Sequence, residues 1–297
     1  MLTSAGTGTN FLPRSKFARS ASVIRRSMSR VLTRGPKVGA CNICGTEGNL
    51  TEDHTPPKGC VRVTQVEMKG IVELLAAEPP GNRGRVSQNG VKYRTLCHHC
   101  NNDLLGLKFD PEFNRFVNGV SSIVKSRLHL PNTLYVSGKP QKIVRSLIGH
   151  IMAQRVNGYL KGPHTEDLRE WFYDGNRPMP DYMKIYYWAY PYKVQVLARD
   201  SIMRDLRAED AAYFWLMKFF PIAFWVVWDS PTGYDYSQLN SFDDYRNFGP
   251  DDEVEIPVTL ASVPHERWPE SPEDHRVCVF GEGAIGIFEK KPKSKRS

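Results

Sequence analysis

The sequence has 297 residues, 40% of them hydrophobic and 11% aromatic, which excludes a mainly disordered chain and predicts a globular protein with a sizeable core. The formal net charge of +8 lies at the ends: the first 38 residues hold eight Lys or Arg and no acid, and the last eight hold five. The body between them is acidic, with 27 bases against 32 acids.

The basic ends are predicted to be arms outside the folded body. Residues 1–38 lack a sustained apolar period, so we expect a flexible segment with a short helix near 23–32. Such arms, with the tail 290–297, are typical of proteins that hold polyphosphate by releasing counterions, but solvated ends fit equally well. A transit peptide is a third interpretation of the Ser- and Arg-rich N-terminal arm, whereas a secretion signal is not expected.

Residues 41–100 alternate between short elements and turn signals. Order is predicted to begin at Cys41, and residues 66–77 fit a helix. The Pro and Gly residues of 79–90 mark a loop, and residues 91–96 predict a short strand. We therefore expect a small, loop-rich module in this part of the chain.

Beyond Asn101 the pattern changes to helices and then to strands. Apolar spacing predicts helices over 113–124 and 143–156, and acids in a first turn predict a third over 166–173. The apolar run 211–228 contains Lys218 and Pro221, so we expect two buried strands or a strand after a helix rather than a membrane span. β-branched and aromatic residues predict strands over 184–189, 193–197, 219–228, 254–260 and 277–288.

These elements predict an α+β protein in four parts. A small metal-binding module, 39–108, is followed by a mixed helical and β-sheet region, 109–289. The arm 1–38 and the tail 290–297 flank them.

Four of the six cysteines form two CxxC pairs, Cys41/Cys44 and Cys97/Cys100. Each pair can place both thiolates on one cation, and four thiolates close a tetrahedral zinc site, so the zinc is predicted to be structural. The pattern also predicts a reducing, cytoplasmic compartment. The other two cysteines, Cys60 and Cys278, are expected to be small buried hydrophobes.

Residues suited to phosphodiester chemistry lie next to these pairs. Asp53 and His54 are adjacent, and Asn101 follows the last cysteine directly. Hydrolysis of a phosphodiester needs an activated water and a cation that absorbs charge on the phosphate. A neutral imidazole accepts a proton from water near neutral pH, and carboxylate or amide oxygens bind Mg²⁺ or Mn²⁺. The residue types therefore match the needs of this reaction.

The order CxxC, Asp-His, CxxC-Asn resembles the HNH or ββα-metal endonucleases, especially the zinc-containing branch typified by phage endonuclease VII, which resolves branched DNA. The resemblance covers roughly residues 41–107, and the Pro-Pro-Lys run at 56–58 is similar to the Pro-Lys often found there. It implies a ββα-metal module in which His54 is the general base. Asp53 and Asn101 would bind the catalytic Mg²⁺ or Mn²⁺, and the zinc would fix Asn101 opposite Asp53.

The sequence departs from the family pattern in two respects. First, 42 residues separate His54 from Cys97, which is more than a compact module needs. Second, the family's middle Asn, which usually braces the loop that carries the base, has no obvious equivalent. Asn82 and Asn89 are its candidates, and the role stays unassigned.

Two functions remain open from the sequence. The first is a metal-dependent endonuclease that cleaves DNA, with RNA not excluded, and phage defence suits a bacterial HNH protein by analogy. The second is a non-catalytic zinc module that docks on nucleic acid or protein. The oligomeric state is not predicted, and no membrane partner is expected.

Several other polar residues have ordinary interpretations beside functional ones. Glu52 is expected to be a solvated acid rather than a metal ligand, and His98 and His99 exposed residues of the zinc turn. Phosphate contacts and solvation explain three bases equally well, namely Lys58, Lys92 and Arg94. Base stacking is less expected than core packing for five aromatic residues, namely Tyr186, Tyr187, Trp188, Tyr190 and Tyr192.

Overall fold

A computed structural model describes residues 31–76, 84–126, 129–156, 158–159, 164–207, 211–228, 236–272 and 275–290. Nearly all of the predicted arm and tail, and most of the predicted helix near 23–32, lie outside these residues. The chain from residue 31 onward forms one compact unit. It has the mixed α+β character that the sequence predicts.

The helices are α1 (Ile71–Leu75), a π-helix (His99–Phe109), α2 (Asp110–Ser126), α3 (Pro140–Ala153), α4 (Thr165–Tyr173) and a 3-10 turn (Asp243–Tyr245). The strands are β1 (Val38–Ala40), β2 (Glu47–His54), β3 (Val66–Gly70), β4 (Arg85–Ser87), β5 (Lys92–Cys97), β6 (Thr133–Gly138), β7 (Met183–Ala189), β8 (Gln195–Asp205), β9 (Ala211–Phe219), β10 (Ile222–Trp228), β11 (Asn240–Ser241), β12 (Val254–Thr259), β13 (Arg276–Val279) and β14 (Ile285–Glu289).

A nine-stranded antiparallel sheet contains most of the core. Its strands follow the order β11-β7-β10-β9-β8-β14-β3-β4, and β13 also pairs with β8. Successive side chains of a strand point to opposite faces, and here both faces are covered. Phe224 packs against Phe113 of α2, with ring centroids 5.3 Å apart, while Trp225 packs against Trp268 at 5.2 Å on the other face.

The long apolar run forms the hairpin of β9 and β10. Phe219 pairs with Ile222, and the pairing continues to Tyr213 opposite Trp228. The run is apolar because β10 is buried over almost its whole length. Of the two arrangements expected for it, two buried strands is the one present, and a strand after a helix is not. No helix among the described residues is both long and apolar enough to cross a bilayer.

A three-stranded sheet, in the order β1-β2-β5, carries the cysteine pairs and the Asp-His pair. Leu50 pairs with Cys97 and His54 with Lys92, and the register shifts between Thr51 and Glu52. After β5 the chain enters the π-helix, which continues into α2 without a break. The segment is thus a strand pair followed by a helix.

The predicted helix over 66–77 is wrong in its first half. Val66 and Met68 are buried, the residues between and after them are less so, and the strand pairs with β14. This period of two is that of a strand, and only residues 71–75 are helical. A short strand, β4, also lies within the predicted loop, and the predicted strand over 277–288 is divided into β13 and β14.

The long segment between His54 and Cys97 also has a structural explanation. It contains β3, α1 and β4, and β3 pairs with both β4 and β14 of the large sheet. The extra residues therefore extend the edge of that sheet before the chain returns to β5. The predicted module and the region after it share one sheet.

Candidate metal centre and active site

Four cysteine sulfurs converge where the three-stranded sheet meets the π-helix. Cys41 and Cys44 lie on a turn closed by a hydrogen bond from Gly45 N to Cys41 O, at 2.8 Å, with Gly45 at φ +74°. Cys97 ends β5, and Cys100 lies in the first turn of the π-helix. All four Sγ atoms lie within 4.8 Å of one another, and those of Cys44 and Cys97 are 3.8 Å apart.

This arrangement fits a tetrahedral metal ion such as zinc. Zinc–sulfur bonds of about 2.3 Å in a tetrahedron place the sulfurs about 3.8 Å apart. The pKa of Cys41 is lowered to about 5 by a hydrogen bond from Cys100, whose own pKa that contact raises. Four sulfurs at this spacing repel one another once they are deprotonated, and a cation removes that repulsion. Among the described residues, no other group of three or more His, Cys, Asp or Glu side chains lies close enough to hold a metal.

Asn101 joins the start of the helix to β2. Its Nδ2 donates hydrogen bonds to Thr51 Oγ1 at 2.8 Å and to the carbonyl oxygen of Glu52 at 3.2 Å. These residues come one and two positions before Asp53. The Asn101 side chain is therefore held against the strand that carries the Asp-His pair, and its amide oxygen is not used in these contacts.

Asp53 is buried and belongs to a polar network that the sequence analysis did not foresee. Its Oδ2 accepts a hydrogen bond from Thr55 Oγ1 at 3.3 Å and lies 2.8 Å from Nδ1 of His150. Nε2 of His150 lies 2.9 Å from Asp110 Oδ1, which also accepts a bond from Ser146 Oγ at 2.7 Å. Both contacts to Asp53 use Oδ2, and no described residue donates a hydrogen bond to Oδ1.

His150 is an ion-paired cation inside the protein. Its side chain is 1% exposed, and burial alone lowers the pKa of an imidazole. The carboxylates of Asp53 and Asp110 outweigh that effect and raise the pKa of His150 to about 10. For the Asp110 carboxyl, burial by itself raises the pKa. The charge of His150 and the hydrogen bonds from His150 and Ser146 outweigh burial, so the pKa of Asp110 is lowered.

His54 has the opposite electrostatics. Burial is the main cause that lowers the pKa of this imidazole, and the charges of Lys92 and Lys58 add to the effect. Asp53 and a hydrogen bond to the backbone of Asn89 oppose it only partly. The ring is therefore neutral at neutral pH. Its Nε2 is buried without a hydrogen-bond partner among the described residues, and such an atom calls for an explanation.

The other polar and aromatic residues considered from the sequence have mostly ordinary surroundings. Glu52 forms ion pairs with Arg34 and Lys92, so it is an exposed acid but not an unpaired one. His98 and His99 are 73% and 60% exposed. Three bulky residues of the aromatic segment are buried in the core, namely Tyr187, Trp188 and Tyr190. Asn82 lies outside the described residues.

His150 and Asp110 were not predicted as site residues, for a clear reason. His150 lies among Leu147, Ile148 and Ile151 in a stripe that is typical of an ordinary core helix. A histidine within such a stripe is a signal, because a buried imidazole requires partners. Its carboxylate partners are 40 and 97 residues away, so the sequence does not identify them.

Comparison with known proteins adds no relative. The chain matches no family model, no curated protein and no solved structure.

Proposed function

We propose that the protein is a metal-dependent endonuclease of the HNH type. One observation carries the proposal: a cluster of four cysteines joins the β2–β5 pair to the following helix and holds Asn101 against β2 beside Asp53 and His54. The resemblance in sequence order supports it independently. A strand pair followed by a helix is the arrangement that the resemblance implies.

In this proposal His54 is the general base. Its lowered pKa keeps the imidazole neutral at neutral pH, as proton abstraction from water requires. Nε2 has no partner among the described residues, so it is the nitrogen left to accept that proton. The role that the family gives to its middle Asn stays unassigned.

Asp53 and Asn101 are the proposed ligands of the catalytic Mg²⁺ or Mn²⁺. Their Oδ1 atoms take no part in the hydrogen bonds described above, and hard oxygen donors suit these cations. The cation supplies charge stabilisation at the phosphate. His150 holds Asp53 through Oδ2, and Asp110 holds His150 in turn. Partners of this kind orient a ligating carboxylate, so we place His150 and Asp110 as positioning residues.

The test is nicking of supercoiled plasmid with Mg²⁺ or Mn²⁺ and with a chelator control. We expect His54→Ala to abolish metal-dependent nicking while zinc content and far-UV circular dichroism stay unchanged. His98→Ala is the matched control, since that imidazole is 73% exposed and lies 3.8 Å from the carboxylate of Asp103. Full activity in His54→Ala would refute the assignment. A parallel reaction with RNA decides between the two nucleic acids.

One observation favours the second candidate, a zinc module that docks on nucleic acid or protein without catalysis. The side chain of Asp53 is only 7% exposed, which leaves a cation little access. In that case the purified protein binds DNA without cleaving it in Mg²⁺ or Mn²⁺. Substitutions of Asp53 and His54 that preserve the fold would then leave binding unchanged.

A further inference from the structure

A cleft of about 600 Å³ adjoins the segment that follows His54. One wall is the loop of residues 59–62, and the opposite walls come from α2 and from the turns that precede β8 and β10. Ligand pockets of proteins span about 300–1,000 Å³, so this cleft is large enough for part of a polynucleotide strand.

Three bases line the cleft, Arg62, Lys125 and Lys193, against one acid, Glu289. All three bases are exposed, and none forms an ion pair with a described residue. Many other bases of the protein are neutralised by a carboxylate, as Lys142 is by Asp251 at 2.7 Å. An excess of unpaired positive charge in a concave surface attracts anions.

The loop wall is fixed in place. The side chain of Asn118 donates a hydrogen bond to Gly59 O at 3.1 Å, and Cys60 Sγ donates one to Asn114 Oδ1 at 2.9 Å. Cys60 N also bonds Pro57 O at 3.0 Å, which closes a turn. A wall anchored to α2 by these contacts holds its side chains ready for a ligand, so little ordering is needed on binding.

The chain also limits how far the cleft can lie from His54. Arg62 comes eight positions after His54, and a chain of that length spans at most about 29 Å. One strand of B-DNA rises about 3.4 Å per nucleotide, so the cleft lies within roughly eight nucleotides of the imidazole. Lys58, also exposed, lies between the two.

We propose that this cleft binds the phosphodiester backbone of the same polynucleotide strand that the Asp53–His54 site cleaves, an inference that rests on the proposed function. Arg62, Lys125 and Lys193 contact successive phosphates, and they position the strand without selecting its sequence. Charge, concavity and distance from His54 all support a backbone ligand rather than an apolar one.

The test compares two double variants that remove the same charge. Lys125→Gln/Lys193→Gln removes two charges from the cleft. The control, Arg204→Gln/Arg207→Gln, removes two exposed bases near the C-terminal end of β8, whereas the cleft lies at the end that begins with Gln195. Both are made in the His54→Ala protein. Binding of a labelled duplex and of its single strand is measured by anisotropy over a range of salt concentrations without divalent ions.

We expect the cleft variant to lose about 1.8 from the slope of log affinity against log salt for the duplex, and about 1.4 for the single strand. Sequence preference is expected to stay unchanged. The Arg204/Arg207 variant keeps the parental slope. Equal slopes in the two variants would overturn the inference.

A separate nicking assay with the wild-type protein distinguishes this inference from the proposed function. Unchanged slopes together with metal-dependent nicking would contradict the role of the cleft but support the nuclease. A reduced slope in the cleft variant without any nicking would contradict the nuclease and the claim that both sites hold one strand. It would still support a cleft that binds the backbone.

Discussion

Replacement of His150 by Leu tests the buried network most directly. The imidazole is 1% exposed and lies 2.8 Å from Asp53 and 2.9 Å from Asp110, whose side chains are 7% and 18% exposed. Leucine preserves apolar bulk but leaves two carboxylates without their shared cation. Loss of one partner from a buried ion pair costs about 3–5 kcal/mol. We expect a loss of this size in the free energy of unfolding at pH 7.

The assay is urea unfolding of the zinc-loaded protein without added Mg²⁺. A loss of that size shifts the unfolding midpoint by at least about 1 M, since denaturant slopes are about 1–3 kcal/mol/M. His99→Leu is the matched control, because that histidine also contacts a carboxylate, Asp103 at 3.1 Å, but is 60% exposed. Exposed pairs contribute about 0–1 kcal/mol, so the control should change little.

The dependence on pH gives a second measurement. The pKa of His150 is raised in the folded state from an ordinary value of 6.5 to about 10. Its contribution to stability is therefore fully present below about pH 6.5 and is lost as the pH rises through about 10. The difference in stability between wild type and His150→Leu should shrink over that range. In the variant, acid should restore stability, because protonation removes the repulsion between Asp53 and Asp110.

Two results would refute this reasoning. One is a loss in His150→Leu below 1 kcal/mol at pH 7, equal to that of His99→Leu. The other is a difference from wild type that stays constant between pH 6 and pH 10, because the imidazole would then be neutral in the folded protein.

Three further predictions concern the metal and the core. The wild-type protein should bind one zinc ion per chain, and Cys100→Ser should lose that zinc and unfold at a lower temperature, because structural zinc contributes about 10–16 kcal/mol in small modules. Metal analysis and calorimetry measure the two effects. Lys218→Met should cost about 3–5 kcal/mol in urea unfolding, because it strands the buried carboxylate of Glu270, which lies 2.7 Å from Nζ. Gly149→Ala should cost about 1–3 kcal/mol in the same assay, because the added Cβ would lie 2.5 Å from Leu105 Cδ2. Helix propensity alone predicts a gain in stability, and such a gain would contradict the close packing.

The parts of the site that the sequence predicts are those that short spacings specify. Two residues between cysteines are enough for a turn that brings both sulfurs to one ion, so the four-sulfur cluster follows from the two CxxC pairs. Asn101 is held against β2 because it is the residue next to Cys100. His150 is different, since no local pattern connects it to Asp53 or Asp110.

The fold shows the same dependence on local signals. Helix α2 has a long, regular pattern and is present as predicted. The apolar run 211–228 forms two paired strands, one of the two arrangements expected for it. Residues 66–77 were ambiguous because a strand and a short helix together place apolar residues at mixed spacings. The strand is favoured there by its partner β14, more than 200 residues later, and such a pairing is not visible in a local window.

The two polar networks act on one short piece of β2 from opposite directions. At one end the sulfur cluster fixes the start of the π-helix, and Asn101 on that helix holds Thr51 and Glu52. The next residue of the strand, Asp53, is held by His150 of α3. A buried charged triad is an expensive way to stabilise a core, because an apolar replacement of all its members is often equally stable. Under the proposed function, the triad at this position fixes one carboxylate beside a neutral imidazole. The cost of the buried charges then serves the geometry of the Asp53–His54 pair, which the cysteine cluster alone does not set.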